Sequence, residues 1–222
     1  MGMRIEFANH LVVFGDKQDF SFEDLKREHG FSMCQLKQVH GNVVEKADSE
    51  RELTCDGHWT TSAQKALVIK TADCVPLFFF DSQSSFCCGL HVGWRGLASK
   101  IVAYAMNVAK VQASDIAKLT AVIGPHIQMR SFEVDEGTCF QLLKSAGPSK
   151  NRFYSELPNK KYHVDLNGIL VSQLQEHGIV NIVNLQIDTF TNKEFHSFRR
   201  DKELAGRQLS FIACLGHEKH LK

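Results

Sequence analysis

The chain has 222 residues, of which 26 are Lys or Arg and 25 are Asp or Glu, so its net charge is +1 at pH 7. This balance, without a long basic run, argues against nucleic acid or a membrane surface as a partner. No stretch approaches the roughly 18 apolar residues of a spanning helix, and no secretion signal is recognisable, so we expect a soluble, cytoplasmic protein.

Cysteine usage agrees with that compartment. The chain contains seven cysteines, an odd number, and no pair with the CxxC spacing. Several lie within apolar runs, as is typical of buried free thiols, and a disulfide framework is not expected without a secretion signal. A metal site would therefore have to be assembled from positions far apart in the sequence.

The N-terminal part of the chain predicts short strands and one helix. Ser21 and Asp24 form a capping-box pattern before a short helix that ends at Gly30. The strand candidates in this part are residues 4–14, 32–39 and 42–47.

The centre of the chain predicts a buried sheet. Near-continuous apolar runs at 65–70, 75–81 and 86–92 are typical of strands that are covered on both faces. Residues 97–111 follow, with apolar positions recurring at three and four, which predicts an amphipathic helix.

The C-terminal part continues the alternation of strands and helices, and it contains a long segment at 192–206 with the length of a functional loop. We predict one α+β domain over residues 1–222. The remaining predicted elements are strands at 119–127, 180–187 and 207–215, helices at 136–147 and 165–177, and a loop at 148–162.

Three segments end an apolar strand with a side chain that can bind a metal: His40, Cys74 and His91. Two imidazoles and one thiolate suit zinc, and three protein ligands leave a fourth position open for catalysis. Chance placement remains an alternative, because the spacing matches no known zinc signature. Cys74 could equally be a nucleophilic thiolate activated by either histidine.

Neighbouring residues could serve the same chemistry. Asp73 could act as a general acid or base or orient a histidine, although an aspartate in a turn needs no function. Arg95 stands at a helix start, where a guanidinium could hold phosphate or carboxylate, or simply form a surface ion pair. Trp94 could stack on a flat ligand but is more often a core residue.

Other polar residues carry weaker signals. His126 ends another strand and could line the same pocket or be a satisfied turn histidine. Arg199 and Arg200 could bind an anion or be solvated. Cys87 and Cys88 lie in mid-strand and point to opposite faces, which predicts core positions.

Five ordered stretches resemble the YfiH-like, laccase-domain-containing family. They are QVHG at 38–41, TADCVPL at 71–77, HVGWRG at 91–96, IGPHI followed by FEV within 123–134, and FRRDKELAGRQ at 198–208. Members of this family are described as purine nucleoside phosphorylases with additional adenosine deaminase and methylthioadenosine phosphorylase activities.

The resemblance implies that His40, Cys74 and His91 bind zinc, with copper less favoured. It implies a single α+β domain of layered mixed sheets flanked by helices, a four-layer α/β/β/α arrangement like that of cytotoxic necrotizing factor. Asp73, Cys74 and Arg95 become candidates for catalysis. The substrate-binding candidates are Gln38, Arg95, His126, Arg199 and Arg200.

The implied substrates are a purine nucleoside and phosphate, handled by a monomer or small homo-oligomer. Phosphate would attack the ribose in phosphorolysis, with Arg95 as first candidate for binding it and Arg199 or Arg200 behind. Deamination would need a metal and a proton shuttle, for which Asp73 is the candidate.

Three departures from the family pattern concern the substrate rather than the metal. They are His126, where many members have Cys, Phe132, where many have Tyr, and Phe190, where many have Cys. Three rival functions remain: an amide hydrolase acting on peptidoglycan precursors, a copper polyphenol oxidase, and a binding module with structural zinc.

Overall fold

A computed structural model describes residues 2–18, 24, 27, 30–47, 52–147 and 150–216. The predicted helix between Ser21 and Gly30 falls mostly outside these residues. The strands are β1 Met3–Phe7, β2 His10–Phe14, β3 Ser32–Cys34, β4 Val44–Lys46, β5 Gly57–Thr60, β6 Lys65–Thr71, β7 Val75–Asp81, β8 Cys87–Val92, β9 Leu119–Ile123, β10 Glu133–Asp135, β11 Tyr154–Leu157, β12 Lys161–Val164, β13 Asn181–Asn184 and β14 Gln208–Cys214.

The helices lie between these strands. They are α1 Trp94–Ala98, α2 Ile101–Gln112, α3 Glu136–Ser145, α4 Leu166–Glu176 and α5 Phe198–Asp201. Single 3₁₀ turns occur at Ile116–Lys118, Met129–Ser131, Lys150–Arg152, Pro158–Lys160 and Lys202–Leu204. None of the helices in the described residues has the length and apolar character needed to cross a membrane.

Two mixed sheets form the layers of the fold. One has five strands in the order β1-β2-β14-β6-β3, and the other has six in the order β13-β9-β7-β8-β5-β4. A small third sheet, β10-β12-β11, lies beside them. This arrangement confirms the predicted α+β class with layered mixed sheets, whereas the extent of the domain over residues 1–222 stays a prediction.

Alternation along the strands places a core between the two large sheets. Phe14 from β2, Leu67 and Ile69 from β6, and Phe78 and Phe80 from β7 meet there and are excluded from solvent. Because successive side chains of a strand point to opposite faces, the alternate residues of β7 serve a second core, whereas Val13 of β2 and Val68 of β6 belong to a separate cluster on the other face of the five-stranded sheet. That second core lies between the six-stranded sheet and the helices.

The helix-side core explains the near-continuous apolar runs at the centre of the chain. Val75, Leu77 and Phe79 from β7 pack with Ile101 and Ala105 from α2. Each central strand thus has apolar neighbours on both faces, as its sequence predicts. Burying one such aromatic side chain contributes on the order of 1.5–3 kcal/mol.

Cys87 and Cys88 confirm the alternation. The Cys87 side chain lies in the core between the sheets, and that of Cys88 lies in the core beneath the helices. Burial raises the pKa of both thiols well above the usual range. Neither thiol is therefore suited to act as a nucleophile or a metal ligand.

Several predicted elements have different bounds in the structure. Residues 4–14 form a hairpin of two strands rather than one strand, paired from Met3↔Phe14 to Phe7↔His10. The predicted helix at 97–111 is interrupted at Lys100, whose φ of 60° ends α1 and starts α2. The prediction of a loop at 148–162 is wrong, because β11 and the start of β12 lie there.

Register brings two of the predicted ligands to one edge of the six-stranded sheet. β7 and β8 pair antiparallel, with Pro76 opposite His91. Cys74 directly precedes β7, so its side chain emerges beside the end of β8. The third predicted ligand, His40, arrives on a turn that lies outside both large sheets.

Candidate metal centre

His40, Cys74 and His91 come together as the sequence predicts. Their potential ligand atoms all lie within 4.8 Å of one another. Among the described residues they are the one group of three or more His, Cys, Asp or Glu side chains that converges in this way. His40 is exposed, Cys74 is half-buried and His91 is buried, so the centre opens to solvent on the His40 side.

Asp56 holds the turn that carries His40. Its carboxylate accepts hydrogen bonds from the backbone N–H groups of Val39, His40 and Gly41, at 3.2, 2.9 and 2.6 Å. His40 has a φ of 61°, a left-handed conformation that a non-glycine residue adopts only when its surroundings impose it. The three bonds to Asp56 supply that constraint.

The same carboxylate orients His91. The Nδ1–H group of His91 donates to Asp56 Oδ1 at 2.8 Å, and both side chains are buried. Burial opposes ionisation of Asp56, but hydrogen bonds from His91 and from the Gly41 and His40 amides keep its pKa below the usual range. Such a carboxylate–histidine pair fixes the ring so that Nε2 is the nitrogen free to bind a metal.

Gln38 ties the His40 turn to the strand that leads to Cys74. Its side-chain amide donates to the Lys70 carbonyl at 2.7 Å and accepts from the Lys70 N–H at 2.8 Å. This pair of bonds reproduces a rung of sheet pairing beyond the end of β3. The side-chain amide of Gln38, predicted as a substrate-binding residue, therefore joins the His40 turn to the backbone of β6.

Two glycines of the HVGWRG stretch explain the close packing beside the ligands. A Cβ on Gly93 would lie 3.0 Å from His40 Cδ2 and 3.3 Å from Cys74 Sγ. A Cβ on Gly96 would lie 2.7 Å from the Gly41 carbonyl oxygen. A Cβ at position 96 would clash with the backbone and one at position 93 would crowd two ligand side chains, because α1 rests directly against the metal-ligand turn.

The charges around Cys74 stabilise its thiolate form. Burial opposes ionisation of Cys74, but the neighbouring His91 and His40 rings outweigh it and lower its pKa to about 6. Burial would likewise lower the pKa of His91, yet Cys74 and Asp56 raise it to about 9. Near neutral pH the metal-free site therefore holds a thiolate beside an imidazolium.

The donor set fits one metal ion. Metal ligands must be deprotonated thiolate and neutral imidazole, and the site ionises its thiol readily and holds one ring in a fixed tautomer. Zinc binds nitrogen and sulfur ligands at metal–ligand distances of about 2.0–2.3 Å, and a catalytic zinc site has three protein ligands. Short side-chain adjustments would bring the three donor atoms onto one ion.

Asp73 is bonded to the segment at 189–199 and has no hydrogen bond to His40 or His91. Its carboxylate accepts from the Thr189 hydroxyl at 2.7 Å and from the Arg199 backbone N–H at 2.6 Å. Its φ is 86°, so the backbone before Cys74 is also held in a left-handed conformation. Asp73 thereby fixes the segment at 189–199 against the residue that precedes a predicted ligand.

Arg200 organises that segment internally. Its guanidinium donates to the carbonyl oxygens of Thr189, Phe190 and Phe195 and makes two further bonds to the Asp201 carboxylate, all at 2.7–2.9 Å. These five bonds use every N–H donor of the side chain. Arg200, predicted to bind an anion, therefore has no donor left for a ligand.

Arg199 is differently placed. Its guanidinium carbon lies 5.5 Å from the centre of the Phe132 ring, a cation–π arrangement. Because its backbone is bonded to Asp73, Arg199 lies close to the Cys74 side of the centre. It is the member of the double-arginine pair whose guanidinium has no hydrogen bond with the described residues.

His126 is a satisfied histidine in the interior. Its Nδ1–H donates to the Gly124 carbonyl at 2.7 Å, and its Nε2 accepts from the Gln128 amide at 3.0 Å. The side chain is fully buried, and that burial lowers its pKa. The predicted contact with substrate has no exposed surface through which to occur.

Arg95 lies on the outer side of α1. Its guanidinium carbon is 4.4 Å from the centre of the Trp94 ring. Both residues line a pocket of about 360 Å³ whose wall includes none of the three metal-ligand candidates. The His91 imidazole and the Arg95 guanidinium, which lie in the same short stretch, thus face different spaces.

Sequence reasoning missed Asp56, the residue that connects two of the ligands. An Asp-Gly pair is typical of a turn, whereas Gly57 begins a strand, β5, that pairs with β8. The sequence signal for Asp56 was its position directly before a strand-like stretch, GHWT. Asp73 has a similar position, directly before Cys74. Thr189 gave no signal, because its partner Asp73 is 116 residues away.

Fold and site together define a class: an α+β protein with layered sheets and a His/Cys/His centre at the edge of its six-stranded sheet. Residues 19–215 match the family described as multi-copper polyphenol oxidoreductase laccase. The chain belongs to this YfiH-like, laccase-domain family.

Named relatives agree with this assignment. A Rickettsia conorii protein named purine nucleoside phosphorylase is 32% identical over 172 residues, covering 76% of this chain and 71% of its own. A Clostridium acetobutylicum protein of the same name is 32% identical over 181 residues, covering 80% and 75%. The crystal structure of Bacillus licheniformis YfiH shares the fold, with a TM-score of 0.83, 21% identity and 92% coverage of each chain.

Proposed function

We propose that this protein is a zinc-dependent purine nucleoside phosphorylase, which cleaves adenosine, inosine, guanosine or methylthioadenosine with phosphate. The observation that carries the proposal is the converged His40, Cys74 and His91 centre in a chain whose relatives bear that enzyme name. The products would be the free base and ribose 1-phosphate or its methylthio derivative. Adenosine deaminase activity is part of the proposal.

His40, Cys74 and His91 would hold the zinc ion, and Asp56 would keep two of them in place. When bound, the ion would supply Lewis-acid activation of a substrate group. Copper is the alternative suggested by the family description, but multi-copper chemistry needs further histidine-rich centres. A single converged group among the described residues favours one ion.

Asp73 is the proposed proton carrier. A carboxylate has about four acceptor sites, and Thr189 and Arg199 use two of them. The remaining capacity could accept a proton from the nucleophile or return one to the departing base. Arg95 and Arg199 are the candidates for binding phosphate, since neither guanidinium has a hydrogen bond with the described residues.

We propose a cytoplasmic location, because the chemistry of Cys74 suits a reducing compartment. A thiolate with a lowered pKa, such as Cys74, is readily oxidised when accessible. A reducing compartment keeps such a ligand intact.

The test is product analysis by mass spectrometry. Zinc-loaded protein is incubated with adenosine, with and without phosphate, beside His91→Ala and the control His177→Ala at the end of α4. Phosphate-dependent adenine and ribose 1-phosphate, lost in His91→Ala alone, are expected for phosphorolysis. Inosine formed without phosphate reports deamination. Zinc-loaded protein that converts no nucleoside would refute the proposal.

A second function is favoured by one geometric observation. Cys74, His91 and Asp56 form a chain of thiolate, imidazole and carboxylate, the order found in cysteine hydrolases. In this alternative the protein hydrolyses an amide, such as a peptidoglycan precursor, without a metal. Elemental analysis separates the two, because one zinc per chain engages the thiolate that the hydrolase needs free.

A further inference from the structure

We propose that Phe132 is a positioning residue, whose ring holds the Arg199 guanidinium in place to bind phosphate beside the metal centre. This inference rests on the proposed function and deepens it, because it assigns phosphate to one of the two candidate arginines and names the residue that orients it. The guanidinium carbon of Arg199 lies 5.5 Å from the centre of the Phe132 ring. A cation–π pair that only stabilises the fold is the competing interpretation.

Arg199 is bonded to the residue that precedes a predicted metal ligand. Its backbone N–H donates to Asp73 Oδ2 at 2.6 Å, and Asp73 directly precedes Cys74. Arg95, the other candidate, lines the pocket on the outer side of α1, where none of the three ligand candidates lies. Phosphate that attacks a nucleoside at the metal centre must be bound on the same side as the ligands. Arg199 meets this condition.

The Arg199 guanidinium has no hydrogen bond or ion pair with the described residues, although its side chain is half-buried. The next residue, Arg200, has all five of its donors bonded within the protein. A guanidinium held over an aromatic ring keeps its N–H edge for a ligand, and that edge matches two phosphate oxygens at once. The two adjacent arginines therefore have different roles, one internal and one directed at a ligand.

The Phe132 ring is fixed independently of Arg199. Its side chain is 8% exposed and packs in the core beneath the helices. Its backbone N–H donates to the Gln128 and Met129 carbonyls at 3.0 and 3.2 Å, and its own carbonyl accepts from the Val164 N–H at 3.2 Å. Because the ring is already ordered, it lowers the entropy that the arginine loses when a ligand binds.

A second carboxylate, that of Asp188, joins the two segments that carry this pair. Its Oδ1 accepts from the backbone N–H groups of Gln128 and Phe190 at 3.2 and 3.0 Å, and its Oδ2 accepts from the Ser131 hydroxyl at 2.5 Å. The segment before the ring is thereby bonded to the start of the loop that ends at the guanidinium. Asp73 fixes the end of that loop, and neither carboxylate bonds the guanidinium itself. The pair is thus held from both sides, as a binding group needs to be.

The experiment measures phosphate binding directly. Zinc-loaded full-length protein, freed of excess metal, is titrated with inorganic phosphate by isothermal calorimetry, with and without adenine to fill the base site. Arg199→Ala should raise the Kd for phosphate about 10–100-fold, because it removes a charged hydrogen-bonding partner. Phe132→Leu should raise it about 3–30-fold, the effect of losing a partly desolvated cation–π contact. Phe132→Tyr keeps the ring and should restore the affinity.

A double variant separates positioning from a merely structural role. If the ring acts through the guanidinium alone, Phe132→Leu has no further effect on the Kd for phosphate in the Arg199→Ala background. Additive effects would show that the loss of the ring disturbs the site in general, and they would overturn the inference. Zinc content and thermal unfolding of each variant establish that the centre and the fold are intact.

Arg199→Lys tests the same pair without altering the core. It keeps the positive charge but removes the planar fork, so it should bind phosphate more weakly than wild type. Wild-type affinity in this variant and in Arg199→Ala would show that the guanidinium does not bind phosphate.

The chain offers a matched pair as a control. Arg152 lies over the Phe153 ring at 4.8 Å, and that ring is also buried in the core beneath the helices. Neither residue has a place in the proposed site. Arg152→Ala and Phe153→Leu should therefore leave the Kd for phosphate unchanged.

Kinetics distinguish this inference from the proposed function. Arg199→Ala and Phe132→Leu should each raise the KM for phosphate by a larger factor than the KM for the nucleoside. Phosphate affinity equal to wild type in Arg199→Ala, or no phosphate binding by zinc-loaded wild type, would overturn the inference even in an active phosphorylase. Phosphate binding that depends on both residues, in a protein making no ribose 1-phosphate, would instead refute the proposed reaction and leave an anion site.

Discussion

His91 donates from Nδ1 to the Asp56 carboxylate at 2.8 Å, and the same carboxylate receives the three backbone N–H groups of the turn that carries His40. One buried side chain therefore sets the position of two predicted metal ligands. Because both partners are excluded from solvent, this hydrogen bond is not weakened by competing water.

Asp56→Asn should weaken zinc binding by about 10–100-fold, the usual effect of losing a partner of a ligating histidine. The amide nitrogen of Asn cannot accept the backbone N–H groups that the carboxylate accepts, so the His40 turn loosens as well. Competition with a chromophoric chelator measures the affinity. Asp115→Asn is the control, because Asp115 only caps the single turn at Ile116–Lys118. Equal zinc affinity in Asp56→Asn and wild type would contradict the prediction.

The sequence was sufficient to predict the buried strands and the three ligand candidates. β7 and β8 are apolar except for Asp81 and His91 near their ends, so their identity does not depend on distant contacts. His91 lies near the end of β8, Cys74 lies in the turn before β7, and His40 lies in a turn outside the large sheets; chain reversals at strand ends bring such side chains to one edge. The family resemblance then assigned the same three residues to zinc.

What the sequence could not provide are pairings between distant residues. Asp73 and Thr189, or Gln38 and Lys70, meet only because strands far apart in the chain are neighbours in the sheets. A sequence pattern likewise could not separate Arg199 from Arg200, since adjacent arginines look equivalent. The fold directs the Arg200 guanidinium into five internal hydrogen bonds, whereas that of Arg199 has none with the described residues and lies over the Phe132 ring.

Gly93→Ala should impair metal binding without a backbone penalty. Gly93 has a φ of −75°, which any residue adopts, so the effect arises from contact alone. The new Cβ would lie 3.0 Å from His40 Cδ2 and 3.3 Å from Cys74 Sγ and would push the ligands apart. Zinc affinity should fall about tenfold or more.

Gly137→Ala is the matched control for that substitution. Gly137 lies in the first turn of α3, and a Cβ there meets only the Asp135 carboxylate oxygen at 3.4 Å. Its zinc affinity should equal that of wild type. If Gly93→Ala also binds zinc with wild-type affinity, the ligand side chains move aside for the methyl group and the prediction is wrong.

Cys74 should react with iodoacetamide at an unusually low pH in metal-free protein. The thiolate is the reactive form, and its pKa is lowered to about 6 by His91 and His40 against the opposing effect of burial. The alkylation rate should therefore rise as pH increases through about 6. The Cys55 thiol, whose pKa burial raises to about 11, should stay unreactive across that range.

His91→Gln should shift the Cys74 alkylation profile to higher pH, because the substitution removes the principal positive partner. Peptide mapping by mass spectrometry locates the modified cysteine, and Cys74→Ser gives the background. A profile centred at the same pH in His91→Gln would contradict the assigned cause of the lowered pKa.

Arg200→Lys should destabilise the segment at 189–201. A lysine cannot reproduce the five hydrogen bonds that join Thr189, Phe190, Phe195 and Asp201. We expect a loss of about 1–3 kcal/mol in the free energy of unfolding and faster hydrogen exchange of the segment's amides. Arg207→Lys is the control, because the Arg207 guanidinium bonds only the adjacent Ala205 and Gly206 carbonyls.

Acid should destabilise the fold through two buried histidines outside the metal centre. His58 is fully buried, both of its ring nitrogens lack a hydrogen-bond partner among the described residues, and burial lowers its pKa to about 3. His10 stacks on Phe80 at 4.5 Å, and burial, partly opposed by Asp81, lowers its pKa to about 4. Both rings are therefore neutral in the folded protein.

The unfolded chain binds protons at these histidines near pH 6.5, before the folded protein does. The contribution of these two rings to the free energy of unfolding is therefore largest above about pH 6.5 and falls as pH decreases, by up to about 1.4 kcal/mol per pH unit for each ring. His58→Leu should flatten this slope between about pH 6 and 4 in urea unfolding, because it removes one such ring. His163→Leu, at a half-buried position on β12, is the control. A slope in His58→Leu as steep as in wild type would show that other groups cause the acid sensitivity.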